Sequence, residues 1–212
     1  MIRAYEQAYL SAVMDGIGTM LDYAVNSCGE DLRIFYARFL ASGVAEQIER
    51  GNPRYLCGLS GIEIAREVAV RTGSPLREAP ALIDMGSPQY WTGWALAYLQ
   101  WNLGKDFKSL QQSGIDAEFL MARYSTLHEA DLSKTVQIAK QQLEAFQQQE
   151  SPLRRMRRNI GLTQAELAQL SGISLRSIRA YEQSQVGLSS ASAGSLASLA
   201  RILGCKPGDL IG

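Results

Sequence analysis

The chain has 212 residues, 46% of them hydrophobic and 20% charged, with 21 basic and 21 acidic side chains. That length buries a real core in one large domain or two modest ones, and the composition excludes a disordered or fibrous chain. No run approaches the ~18 apolar residues of a membrane span and the N-terminus carries no signal-peptide pattern, so a cytoplasmic protein with no membrane partner is expected.

Cys28, Cys57 and Cys205 are odd in number and widely spaced, which predicts reduced, mostly buried thiols rather than a disulfide frame. With a single histidine, His128, and cysteines that lack metal-ligand spacing, a histidine-based zinc or iron site is not expected, and neither a metal nor a cofactor is predicted. Overall neutrality hides an asymmetry. Residues 151–212 hold eight basic and three acidic groups, whereas residues 1–150 hold thirteen and eighteen. A basic segment joined to an acidic one predicts that only the C-terminal part faces phosphates.

In chain order, nearly every segment has helical periodicity and none alternates with period two. Tyr5, Ala8, Tyr9, Ala12, Val13, Ile17, Met20, Leu21, Ala24 and Val25 recur at three- and four-residue steps and predict a long amphipathic first helix. Gly16 and Gly18 mark a bend in it or a close approach by another helix. Asp31 caps a second helix carrying Leu32, Phe35, Tyr36, Phe39 and Leu40, and Ser60 with Glu63 forms a capping box for a helix running to Thr72. Residues 73–87, with Pro75 and Pro80, read as a connection. Ser87 and Pro88 then start a helix with Trp91, Trp94, Ala95, Tyr98 and Trp101 along one side.

Residues 131–150 form a polar, glutamine-rich helix in which Leu132, Val136, Ala139, Leu143 and Phe146 follow 4-3-4-3 spacing. This seam is shorter than three heptads and suits either packing within its own domain or pairing between two copies. Ser151 and Pro152 restart the helical signal, which sets the expected domains at 1–150 and 151–212.

In the second domain Thr163 and Glu166 make a capping box for a helix over 164–170, Ser171-Gly-Ile supplies a tight turn, and Ser174 caps a helix reaching Gln183. Two short helices joined by a glycine-containing turn are a helix-turn-helix. Ala168 is small where the second helix crosses the first, and Ile173, Ile178 and Tyr181 supply the apolar underside.

The run Leu162-Thr-Gln-Ala-Glu-Leu-Ala, then Ser171-Gly-Ile-Ser, Ser177-Ile and Tyr181-Glu, with Leu196-Ala-Ser-Leu-Ala-Arg-Ile-Leu-Gly as a fourth helix, resembles the phage-repressor and Cro-type family, also called the xenobiotic-response-element family. The resemblance covers 153–210 and implies an all-α protein whose last domain is a five-helix repressor/Cro-like DNA-binding module. It implies that the second motif helix enters the major groove, with Ser174, Leu175, Arg176, Arg179 and Ala180 at the base-reading positions. Arg176 suits a bidentate contact to guanine, while Leu175 and Ala180 offer only apolar contact to a thymine methyl. Gln164 matches a residue that holds phosphate. Arg157 and Glu182 match an internal salt bridge, which leaves the phosphate role to Arg154, Arg155 and Arg158. One departure from the family is about three extra residues in the Gly/Ser/Ala-rich stretch after Glu182, where Ser190 and Ser192 are phosphate candidates.

The first domain resembles an uncharacterised helical domain fused in front of such modules in bacteria, through Leu21-Asp-Tyr-Ala-Val, Gly51-Asn-Pro-Arg-Tyr, Ser60-Gly-Ile-Glu, Tyr90-Trp-Thr-Gly-Trp-Ala-Leu-Ala-Tyr and Thr126-Leu-His-Glu-Ala-Asp. Three readings follow. The acidic surface binds a toxin-like protein partner, as an antitoxin would; or Trp91, Trp94, Tyr98 and Trp101 wall a small-ligand pocket; or Asp15, Asp22, Glu30, Asp31 or the His128–Glu129 pair does acid–base chemistry. No nucleophile elbow, phosphate loop or dinucleotide fingerprint is present, so an enzyme is not expected. The expected protein is a transcriptional regulator, a repressor or antitoxin-like autoregulator with a small-molecule sensor as the alternative. It binds double-stranded DNA as a homodimer, paired through the first domain or the 132–146 seam.

Overall fold

The computed structural model describes residues 4–149, 151–183 and 186–211; among them every regular element is helical. The chain forms two compact units, Met1–Leu143 and Glu144–Gly212. The first contains α1 (Leu10–Asp22), α2 (Leu32–Ala41), α3 (Val44–Glu49), α4 (Gly61–Arg71), α5 (Pro88–Leu103), α6 (Phe107–Gln112), α7 (Ala117–Met121) and α8 (Tyr124–Leu127). The division falls inside α9 (Leu132–Gln149). The boundary read from the sequence follows Glu150, which lies outside the described residues.

The predicted caps are present. Asp31 accepts from Ile34 N at 2.9 Å at the start of α2, Ser60 and Glu63 cap each other's backbone at α4, and Ser87 accepts from Tyr90 N at 3.0 Å ahead of Pro88 on α5. The long first helix is instead composite. A 3₁₀ turn over Gln7–Tyr9 leads into α1, and the chain widens into a π turn over Tyr23–Ser27 before Cys28 ends it. Gly16 and Gly18 do not break α1; the helix is continuous through both.

Close approach is the reason for glycine here. α1 packs most extensively on α5 and next on α4. A Cβ on Gly93 of α5 would collide with the Ile17 carbonyl oxygen, and one on Gly61 of α4 would collide with the Gly16 oxygen. Gly18 faces Tyr90, whose oxygen would be 3.0 Å away. Gly16 has room, with Ile64 Cδ1 at 3.7 Å. α5 is buried on most of its circumference, from Trp91 through Ala95, Leu96 and Leu99 to Trp101 and Leu103, as expected of a helix apolar all round.

The connection over 73–87 is irregular but fastened. Asp22, fully buried, accepts from Ser87 Oγ at 2.5 Å, Asn26 Nδ2 at 2.7 Å and Asp84 N at 3.1 Å. Ser27 donates to the Leu82 carbonyl at 3.0 Å, and Tyr23 donates to that of Ala79 at 3.3 Å. The donors around Asp22 offset the cost of removing its carboxylate from water.

The seam of α9 is spent within the first unit except at its last position, Phe146, which is half-buried and lies past that unit's end. Val136, Ala139 and Leu143 are buried in the same core as α1 and α5, with Leu132 packed against it. Of the three free thiols only Cys28 is buried; Cys57 is exposed and Cys205 half-buried, against the expectation of mostly buried sulfurs. Cys57 lies in the π turn that begins at Arg54, on the outside of the fold.

The second unit has α10 (Pro152–Asn159), α11 (Gln164–Ser171), α12 (Leu175–Glu182) and α13 (Ala193–Leu203). A short 3₁₀ helix over Pro207–Leu210 supplies the fifth helical segment. Leu153, Leu167, Ile178, Leu188, Leu199, Leu203 and Leu210 form its core, with Ala168, Ile173 and Tyr181 packed against it. Gly172 takes φ +70° at the end of α11, the left-handed conformation the turn requires. Arg157 and Glu182 tie α10 to α12, with side chains only 10% and 1% exposed. Arg157 Nε and Nη2 reach the two carboxylate oxygens at 2.5 and 2.9 Å, and Nη1 donates to the Leu162 carbonyl at 2.6 Å.

Two outcomes follow from these contacts. Gly93→Ala should destabilise the first unit by about 3 kcal/mol, because its new carbon has only backbone to push against, whereas Gly16→Ala should be neutral or stabilising by about 0.5–1 kcal/mol. Tryptophan fluorescence during urea unfolding reports this unit, since Trp91, Trp94 and Trp101 all lie on α5; equal midpoints for the two variants would contradict the packing. Arg157→Ala leaves Glu182 buried without its counter-ion and should cost about 3 kcal/mol. Hydrogen exchange across 153–210 in the full chain should then speed up, and unchanged protection would refute the assignment.

Candidate nucleic-acid interface

α12 starts at Ser174, whose hydroxyl accepts from Ser177 N at 3.0 Å and pairs with Ser177 Oγ at 2.8 Å. Ser174 therefore has a capping duty in addition to its predicted place at the leading end of the helix. Ile178 and Glu182 point inward and are buried. The opposite face is left to Arg176, Arg179 and Gln183, all exposed, and to Leu175 and Ala180, both half-buried.

These five side chains share one surface, as positions spaced by three and four residues on a helix must. Together with Val186 they line an open concavity of about 450 Å³. Two guanidinium groups and no carboxylate are in its lining, and among the described residues neither Arg176 nor Arg179 has an ion-pair partner. An anionic surface of repeating acceptors is what such a face attracts. Of the predicted base-reading residues, Leu175, Arg176, Arg179 and Ala180 are thus brought together. Val186 was not among them; it follows the helix, and no local pattern marks it.

The predicted phosphate residues divide. Arg155 and Arg158 are exposed on α10, and Arg154 is half-buried. Gln164, at the start of α11, donates from Nε2 to Glu182 at 2.8 Å. Its amide is therefore oriented by the same carboxylate that holds Arg157. Glu166 closes the capping box at this end; hydrogen bonds from the Thr163 side chain and backbone hold its carboxyl below the usual range. In the long stretch after α12, Leu188 is buried in the core through a 3₁₀ turn over Leu188–Ser190. Ser190 donates to the Gly187 carbonyl at 2.7 Å, and Ser192 caps α13 by accepting from Ser195 N at 3.1 Å.

The candidates of the first unit have other occupations. Trp91 and Trp101 are buried in its core, where Trp101 Nε1 donates to the Tyr5 carbonyl at 3.0 Å; Trp94 and Tyr98 pack against it. Asp15 accepts from Tyr90 Oη at 2.9 Å, Glu30 pairs with Arg38 at 2.9 Å, and Asp31 and Asp22 hold the backbone and side chains described above. His128 follows α8, with Nδ1 2.8 Å from the Tyr124 carbonyl and its ring stacked on that of Tyr124. Glu129 is solvent-facing, 3.6 Å from Nε2. Among the described residues no group of three or more His, Cys, Asp or Glu is placed to hold a metal ion, and no helix is long and apolar enough to cross a membrane.

Comparison with known proteins gives one finding for this region. A family model described as helix-turn-helix (HTH_3) matches residues 153–210, the span that contains α10 through the last 3₁₀ turn. No curated protein and no solved structure matches the chain. Residues 153–210 are therefore a helix-turn-helix domain of the Cro and phage-repressor type, a DNA-binding module.

Proposed function

We propose that the chain is a sequence-specific transcriptional regulator that binds double-stranded DNA as a homodimer through α12. The supporting observation is the concave outward face of that helix, where Arg176 and Arg179 stand with no carboxylate in the lining. A single α12 spans too few base pairs to select one site among a genome of competitors, and two copies would meet half-sites about one helical turn apart. Because Val136, Ala139 and Leu143 are committed to the first unit's core, the dimer contact belongs to the exposed surface of that unit rather than to the α9 seam.

The first unit acts without enzymatic chemistry of its own and binds a regulatory protein, in the manner of an antitoxin that represses its own expression. Its excess of acidic groups and the exposed apolar side chains Val70, Leu82 and Met85 support a protein partner. Its tryptophans are taken up by packing, which leaves them unsuited to walling a ligand pocket. Co-purification of the untagged chain from its host tests this: a stoichiometric protein partner is expected, and a retained small molecule in its place would favour a sensor. Sedimentation of the purified chain, free and on DNA, should give a dimer; a monomer in both states at micromolar concentration would rule dimeric binding out.

Arg176 and Arg155 carry the same charge on different surfaces, so their loss should read differently. Arg176→Ala should remove a base contact worth roughly 1–3 kcal/mol and relax preference at one operator position. Arg155→Ala should weaken all duplexes alike and make the salt dependence shallower by about one unit, since one phosphate is no longer neutralised. Titrations on operator and scrambled duplex at several salt concentrations separate the two. Equal weakening of both duplexes by Arg176→Ala would place α12 outside the major groove.

A further inference from the structure

Val186 is 44% exposed and contributes nothing to the core of its domain. Its backbone N–H donates to the Ala180 carbonyl at 3.4 Å, which holds the chain beside the last turn of α12 and extends the outward face of the helix beyond its own end. Ala180 offers a single methyl group there, so the surface between it and Val186 stays hollow. Leu175, Ala180 and Val186 carry no hydrogen-bonding side-chain group, yet they share one concavity with Arg176, Arg179 and Gln183. The face is therefore mixed: guanidinium and amide donors beside a recess that can reward only an apolar group.

In the major groove one base edge has an apolar projection, the C5 methyl of thymine, while guanine presents the paired acceptors that suit arginine. We propose that Val186, with Ala180, receives a thymine methyl adjacent to an arginine-contacted guanine, which makes Val186 a base-specificity residue lying outside the recognition helix. The proposal rests on the DNA-reading function given above and adds the base that the apolar part of the face selects.

The test uses the full chain and an operator enriched by it from random duplexes. Each thymine of that operator is replaced singly by deoxyuridine, which lacks only the methyl group. One thymine in each half-site should lose about fourfold in affinity on replacement, the worth of burying one methyl-sized group. Val186→Ala, whose side chain lies outside the core, should bind the thymine duplex weaker by the same factor and no longer distinguish it from the deoxyuridine duplex. If a sequence is enriched but no thymine responds, or if Val186→Ala still discriminates, the assignment of Val186 is overturned while DNA reading stands. If no sequence is enriched at all, the DNA-reading function fails and the assignment falls with it.

Discussion

The second unit is arranged around one carboxylate. Glu182 receives two donors from Arg157 of α10 and one from Gln164 of α11, and it is itself the last residue of α12. Three helices thus meet at a single buried group. A buried ion pair contributes little net stability relative to an apolar replacement of the same volume, because both charges must leave water. What it does contribute is direction. The bidentate guanidinium–carboxylate geometry accepts a narrow range of orientations, so the angle of α12 to α10 is fixed where an apolar contact would let it slide.

The first unit uses the same chemistry for a different end. Asp22 has no cation beside it among its hydrogen-bonding partners; a hydroxyl, an amide and a backbone N–H surround it. Those donors come from the π turn, from Asp84 within the 73–87 connection and from Ser87 at the start of α5. The carboxylate therefore converts an otherwise loose connection of fifteen or so residues, a length at which loops tend to be disordered, into a strap with a set end point. That end point delivers Gly93 against α1, where backbone meets backbone. Helix capping, loop path and helix packing are here one problem, solved at one residue.

Much of this was legible in the sequence where the signal is local. Ser60 with Glu63, Thr163 with Glu166 and Ser87 before Pro88 act across three residues or fewer, and each appears as read. The Arg157–Glu182 pair spans 25 residues and was legible only through resemblance to a family. Nothing local marks Gly61 or Gly93, because the need for glycine arises from α1, which is distant in the chain; Gly16, which is conspicuous in the sequence, has room for a Cβ of its own. The spacing of Val136, Ala139 and Leu143 is identical for a coiled coil and for packing inside one domain, so periodicity could not choose between them. Val186 and Leu188 lie in a stretch whose composition reads as linker, and only the fold assigns one to the surface and the other to the core.

α12 is eight residues long, shorter than any helix that is stable alone in water. Its existence depends on what it buries, and that is little: Ile178 and Glu182 are its only fully buried side chains. Two apolar side chains, Ile178 and the partly buried Tyr181, one ion pair and the Ser174 cap therefore maintain the whole outward face. The consequence is a separation of tasks along a single helix. Residues 178, 181 and 182 answer to the domain, while 175, 176, 179, 180 and 183 answer to whatever the face meets. Substitutions at Arg176, Arg179 or Gln183 remove no buried contact, so the chemistry of this face is free to change at small cost to folding. The inward residues have no such freedom, since altering them would turn the helix and move every outward position together.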